Sequence, residues 1–361
     1  MAEDVLKLAL PVMLHKEKEV AAYKEAKPRI ETYMNEEVQI PTEVGMFCYM
    51  LPFAIRKPEN RKTQLEVQKK ERFSIYHVQA PVTGVHSLDL YGQSAIEAND
   101  MGSLLETAVE HTAQLAEYSK TRPEFDVHQG IYLTATIDGD KPFFPGTYPL
   151  DLFMKQKDEV FDRTVNGFID IESFASNYGL NVILENEMMA TFQPKLIEPR
   201  SKAHLFFSPF AYLDAMAQIS KNQTFDTAHF ASRRSIESIF SRNDVEQEKF
   251  FELFGLSNWD DFDRRHGNMH DYFHDNVRAL HISNTEGIGL HLEDPQEIEA
   301  WGGDGTNEGL LTKQELRQIF LYAKKRGIPA ALEVNYDIPQ IPVNKFKEAD
   351  DFLKYVFDVQ E

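Results

Sequence analysis

Eight short runs of apolar, β-branched and aromatic residues recur along the chain, separated by longer stretches of helical periodicity. The runs are KLALPVML (7–14), TEVGMFC (42–48), FSIYHVQAP (73–81), FDVHQGIYL (125–133), LNVILENE (180–187), TFDTAHF (224–230), VRALHIS (277–283) and PAALEVNY (329–336). Several are apolar nearly throughout rather than alternating, the pattern of parallel strands covered by helices. Among the helical stretches, LLTKQELRQIFLYAKKRG has both ends marked. Thr312 and Glu315 predict a capping box, Leu316, Ile319, Phe320 and Ala323 a buried stripe, and Lys324, Lys325 and Arg326 before Gly327 a helix C-terminus. Eight strand–helix alternations predict a closed (β/α)8 barrel as one domain over residues 1–361, with a doubly wound open sheet as the alternative. Residues 231–276 are too long for one helix and predict a helical insertion after the sixth strand.

Composition narrows the chemistry. A chain of 361 residues that is 42% hydrophobic can bury a large core, so a folded rather than a disordered chain is expected. The single cysteine, Cys48, excludes an internal disulfide and any cysteine-rich cluster, so a bound metal must take oxygen and nitrogen ligands. A net charge of −20 disfavours nonspecific nucleic-acid binding, although a local basic groove can exist within an acidic total. No apolar run approaches the roughly 20 residues of a membrane span. The start MAEDVLKLALPVMLHKE has no small-residue cleavage pattern, so the expected location is cytoplasmic.

The strand ends are more informative. His77, His128, Glu185, Asp226 with His229, His281 and Glu333 stand near the C-terminal ends of strands three to eight. In a barrel those ends converge on one mouth, where active sites of this architecture lie. Singly, a histidine or glutamate there is ordinarily a structural or surface residue. Together, the acids would repel one another unless a cation compensates them. Three carboxylates and an imidazole suit Mn²⁺, Mg²⁺ or Co²⁺, and Zn²⁺ is also compatible. In TFDTAHF, Asp226 and His229 are three apart and would point to opposite faces of a continuous strand. The chain must therefore turn between them if both serve one site.

The order of these motifs, "H" on strand three, "H-x-G" on four, "L-E-N" on five, "D-T-x-H" on six, "L-H-x-x-N" on seven and "L-E" on eight, resembles the xylose isomerase-like TIM-barrel superfamily over roughly residues 73–336. That group includes sugar isomerases, epimerases and endonuclease IV. The resemblance implies that Glu185, Asp226, His281 and Glu333 hold a central divalent metal, with Glu185 and Glu333 placed to move a proton. It implies that His229 approaches substrate or a further metal, and that His77 and His128 match positions which bind a second zinc in endonuclease IV. The Asp-x-His on the loop after strand seven of endonuclease IV has no match here; His291 and Asp294 in GLHLEDPQE are the stand-ins. The arginine and second glutamate of the epimerases fall by counting on Gly287 and Thr191, and Asn284 stands where an aspartate is frequent. Glu187 or Glu286 would supply a missing acid.

Two further motifs read as structural. His266, His270 and His274 are four apart in DRRHGNMHDYFHDN, but Gly267 interrupts them, so they are expected on a polar helix face. GGDGTNEG (302–309) lacks the Lys-Ser/Thr of a phosphate-binding loop, although its backbone N–H groups would suit an oxygen-rich ligand. The function read first is a divalent-metal-dependent sugar or sugar-phosphate isomerase or epimerase. An endonuclease IV-like phosphodiester hydrolase comes second, and a non-catalytic ligand-binding barrel third. The expected partner is a small sugar substrate; nucleic acid is the less favoured one, no membrane is implied, and a homo-oligomer remains open.

Overall fold

The apolar runs form strands at all eight expected places. In the computed structural model they are β1 (Leu6–Val12), β2 (Thr42–Tyr49), β3 (Ile75–Gln79), β4 (Glu124–His128), β5 (Val182–Glu185), β6 (Gln223–Asp226), β7 (Val277–Ile282) and β8 (Pro329–Leu332). Every neighbouring pair is parallel, and β1 pairs with both β2 and β8, which closes the barrel. The fold is thus the (β/α)8 TIM barrel, not the open sheet. The residues described are 5–50, 52–80, 98–128, 148–149, 165–166, 168–186, 190–192, 205–207, 220–235, 237, 244–269, 273–284, 309–333 and 345–357.

Helices α1 (Glu17–Thr32), α2 (Pro58–Glu71), α3 (Ala98–Ala116), α4 (Thr227–Ser232), α5 (Asp244–Phe254), α6 (Trp259–His266), α7 (Lys313–Arg326) and α8 (Lys345–Phe357) punctuate the strands. On α7, Thr312 and Glu315 make the reciprocal capping box, Gly327 ends the helix in the left-handed region at φ 64°, and Leu316, Ile319, Phe320 and Ala323 are buried. A three-stranded antiparallel sheet of Tyr148–Pro149, Leu205–Phe207 and Ala190–Phe192 was not expected from the sequence. Among the described residues no helix is long and apolar enough to cross a membrane.

Side-chain alternation along the strands makes two apolar regions. Leu6, Leu8, Leu10 and Val12 of β1 join the large core that also holds the helix stripes. Ala9 of the same strand faces the other way, into a small cluster with Phe47, Tyr49, Tyr76 and Ala331. The alanines leave room in the barrel interior for rings from neighbouring strands. Relative to β2, β3 carries an extra residue between Ile75 and His77, a bulge that re-aims the strand next to the site.

The histidine row of 266–274 is not one helical face. Helix α6 ends at His266 with Gly267 as its C-cap, and His274 lies in the turn before β7, where its Nδ1 accepts the Asn276 N–H at 3.2 Å. His270 lies outside the described residues. The stretch 302–308 also lies outside them, as do Glu187, Glu286, Gly287, His291 and Asp294.

Candidate active site

Strand β6 stops at Asp226 because that side chain takes over the backbone of the next segment. Its Oδ1 accepts the His229 N–H at 2.7 Å and caps α4, which begins at Thr227. The turn expected inside TFDTAHF is therefore a strand-to-helix junction. Asn186 fixes it from β5: its Oδ1 accepts the Asp226 N–H at 2.6 Å and its Nδ2 donates to the Asp226 carbonyl at 3.2 Å. Thr227 clamps the neighbouring strand, donating to the Ser283 carbonyl at 2.7 Å and accepting the Ser283 N–H at 3.0 Å.

His281 is the hub. Its ring is fully buried, and Nδ1 lies 3.3 Å from Glu185 Oε1, 3.4 Å from Glu333 Oε1 and 4.0 Å from Asp226 Oδ2. One oxygen of Asp226 thus caps the helix while the other faces the centre. Glu185, Asp226 and His281 each offer a ligand atom within 4.8 Å of the others. Glu333, at the end of β8, is the fourth member, and Tyr49 donates to its Oε1 at 2.7 Å. His229 stands at the rim: Nδ1–H donates to the Asn186 carbonyl at 2.7 Å, with Glu185 Oε1 at 3.8 Å. That bond places the acceptor of the neutral ring at Nε2.

The other face of His281 meets residues from deeper in the barrel. Nε2 lies 3.0 Å from Asp126 Oδ2 and 3.1 Å from His77 Nε2. Thr224 donates to the same Asp126 oxygen at 2.9 Å. Phe47 packs on both imidazoles, its centroid 4.2 Å from His77 and 4.8 Å from His281. His77, Asp126 and His281 form a second group with ligand atoms within 4.8 Å.

The electrostatics favour positive charge at this hub. Burial by itself would lower the His281 pKa, but the Glu333 and Glu185 carboxylates and the hydrogen bond to Asp126 outweigh it and hold the ring well above its usual value. His77, by contrast, is held well below by burial and then by His281 beside it, so it stays neutral. A donor set of carboxylate oxygens and an imidazole nitrogen, arranged to stabilise a cation, fits a hard divalent ion.

Of the residues singled out in the sequence, Glu185, Asp226, His229, His281, Glu333 and His77 come together. Asn284 is buried, and its amide bonds the backbone of Leu311, donating to the carbonyl at 2.8 Å and accepting the N–H at 3.0 Å; it tethers the entry to α7. His128 ends β4 beside Glu185 in register, but its side chain is outside the described atoms. Sequence reasoning missed Asp126, Tyr49, Thr224 and Asn186. The available signal for Asp126 was an acid inside an otherwise apolar strand, two residues before His128 and on the same face.

No family model matches the sequence, and no curated protein matches it. Solved structures do. A candidate xylose isomerase from Rhodospirillum rubrum is 13% identical and aligns over 99% of this chain and 100% of its own, with a TM-score of 0.51. A D-tagatose 3-epimerase-like protein is 16% identical over 87% of this chain and 89% of its own, with a TM-score of 0.47. The D-psicose 3-epimerase of Clostridium cellulolyticum is 11% identical over 99% of each chain, with a TM-score of 0.46. The chain shares the fold of the xylose isomerase-like TIM barrels. At these identities the likeness defines the fold, and the chemistry rests on the residues described above.

Proposed function

We propose that this barrel is a divalent-metal-dependent isomerase or epimerase acting on a sugar or sugar phosphate. The observation that carries the reading is the convergence of Glu185, Asp226 and Glu333 on Nδ1 of a fully buried histidine at the C-terminal mouth of the barrel. These four residues would hold the ion. When bound, a divalent ion polarises adjacent carbonyl and hydroxyl oxygens and eases loss of a carbon-bound proton. Glu185 and Glu333, both beside His281 Nδ1, would move that proton, and the Tyr49 hydroxyl donates to the Glu333 carboxylate. His229, whose Nδ1–H is held by the Asn186 carbonyl, would offer Nε2 to a polar substrate group.

The pairing of His77 supports isomerisation over phosphodiester hydrolysis. In the hydrolase reading His77 is a ligand of a second ion, whereas its Nε2 here is 3.1 Å from His281, on the same hub. The test is deuterium exchange: protein with added Mn²⁺ or Mg²⁺ is incubated in D2O with a panel of ketoses and ketose phosphates. Expected are solvent-derived deuterium at one carbon beside the carbonyl and formation of an epimer or isomer, both abolished by EDTA. Nicking of an abasic-site duplex, with no exchange on any sugar, would overturn the reading in favour of the hydrolase.

A further inference from the structure

Asp126 lies on β4, is fully buried, and has no counterpart among the residues expected to bind metal or substrate. Its surroundings give it one polar task. Oδ2 receives the Thr224 hydroxyl at 2.9 Å and faces His281 Nε2 at 3.0 Å. Nδ1 of that same ring is the atom turned toward Glu185, Asp226 and Glu333. A neutral imidazole carries one N–H, and which nitrogen holds it depends on the partner of the other. With a cation at Nδ1 the ring is neutral and carries its one N–H at Nε2, where the Asp126 carboxylate accepts it and the Nδ1 lone pair is left to the ion. His77 is consistent with this assignment, because its Nε2, 3.1 Å from His281 Nε2, can accept the same N–H but cannot compete for Nδ1.

We infer that Asp126 is a positioning residue, held by Thr224, which fixes the ring orientation and tautomer of His281 so that Nδ1 can bind a divalent cation. The inference rests on the metal-centre reading above and extends it to a buried pair, Asp126 and Thr224, that touches neither ion nor substrate. Carboxylate–histidine–metal triads of this kind tune the affinity of the ion through the ligand they hold. It also separates the roles of the two candidate ligand groups. Within His77, Asp126 and His281 the contacts at His281 Nε2 have hydrogen-bond lengths, and on this inference the group supports the neighbouring centre.

Asp126→Asn removes the negative charge that holds the proton at His281 Nε2. With the amide oxygen at the Oδ2 position both hydrogen bonds persist but are weaker, and with the NH2 there the His281 proton is driven to Nδ1; either way the Nδ1 lone pair is held less firmly for a metal. Mn²⁺ and Zn²⁺ affinity and stoichiometry are measured by equilibrium dialysis on wild type, Asp126→Asn, Thr224→Val and Glu185→Gln, with melting temperatures of the metal-free proteins beside them. The expected result is about ten- to hundredfold weaker binding in Asp126→Asn, a smaller loss in Thr224→Val, and metal-free melting close to wild type. Should Asp126→Asn fail to fold, Thr224→Val alone decides. Wild-type affinity in the folded Asp126 and Thr224 variants, with Glu185→Gln still impaired, overturns this inference and leaves the metal centre standing. Loss of a second whole equivalent in Asp126→Asn also overturns it, by making Asp126 a direct ligand. Wild-type binding in all three variants removes the metal centre itself.

Discussion

Acid should destabilise this protein through His111, a buried histidine far in sequence from the candidate site. His111 on α3 is 2% exposed. Its Nε2–H donates to Gln64 Oε1 at 2.6 Å, and Gln64 Nε2 donates to His15 Nδ1 at 3.2 Å. Burial, reinforced by Arg61 and opposed by a hydrogen bond to Gln114, lowers the His111 pKa to about 4 from an unfolded value of 6.5. A folded pKa below the unfolded one means that the unfolded chain binds the proton first. The stabilisation is therefore complete above about pH 6.5 and is lost as pH falls toward 4. The shift corresponds to about 3 kcal/mol in all, of which about 2 kcal/mol is gone by pH 5. Urea unfolding at pH 7 and pH 5, in EDTA so that metal affinity does not contribute, measures it. His111→Gln keeps a donor for Gln64 and cannot titrate, so its constant packing cost cancels between the two pH values. Wild type should lose about 2 kcal/mol more than the variant over that interval. Equal losses in the two proteins would refute the reasoning.

Two further perturbations separate tethering from chemistry. Tyr49→Phe removes the donor that fixes Glu333, and should weaken Mn²⁺ binding about tenfold, the scale of a hydrogen bond to a charged group, with unchanged circular dichroism; dialysis checks the affinity. Asn284→Ala removes both bonds to the Leu311 backbone and should cost about 2 kcal/mol in urea unfolding, while metal affinity per folded molecule stays near wild type.

The barrel was legible in the sequence because strands buried on both faces must be apolar throughout, and eight such runs leave few alternatives. The run TFDTAHF is a strand only as far as Asp226, whose side chain engages the next segment's backbone in place of the ladder. The residues that face the centre from strand ends were readable from their position alone. Those that act from within the barrel were not. Asp126 and Thr224 sit inside strands, and nothing in periodicity tells a buried polar residue that orients a ligand from one satisfied by its own backbone. For Asn284, which stands where an aspartate is frequent, the sequence did not show the tether that the structure has, its amide bonded to the Leu311 backbone just before α7.

The account stands or falls on metal held by Glu185, Asp226, His281 and Glu333. Elemental analysis of purified wild type and Glu185→Gln, with circular dichroism as the folding control, is the most direct measurement. Wild type should retain one equivalent of a divalent cation, and the folded variant should lose most of it, because one anionic ligand becomes neutral. Equal metal content in the two folded proteins would contradict the account.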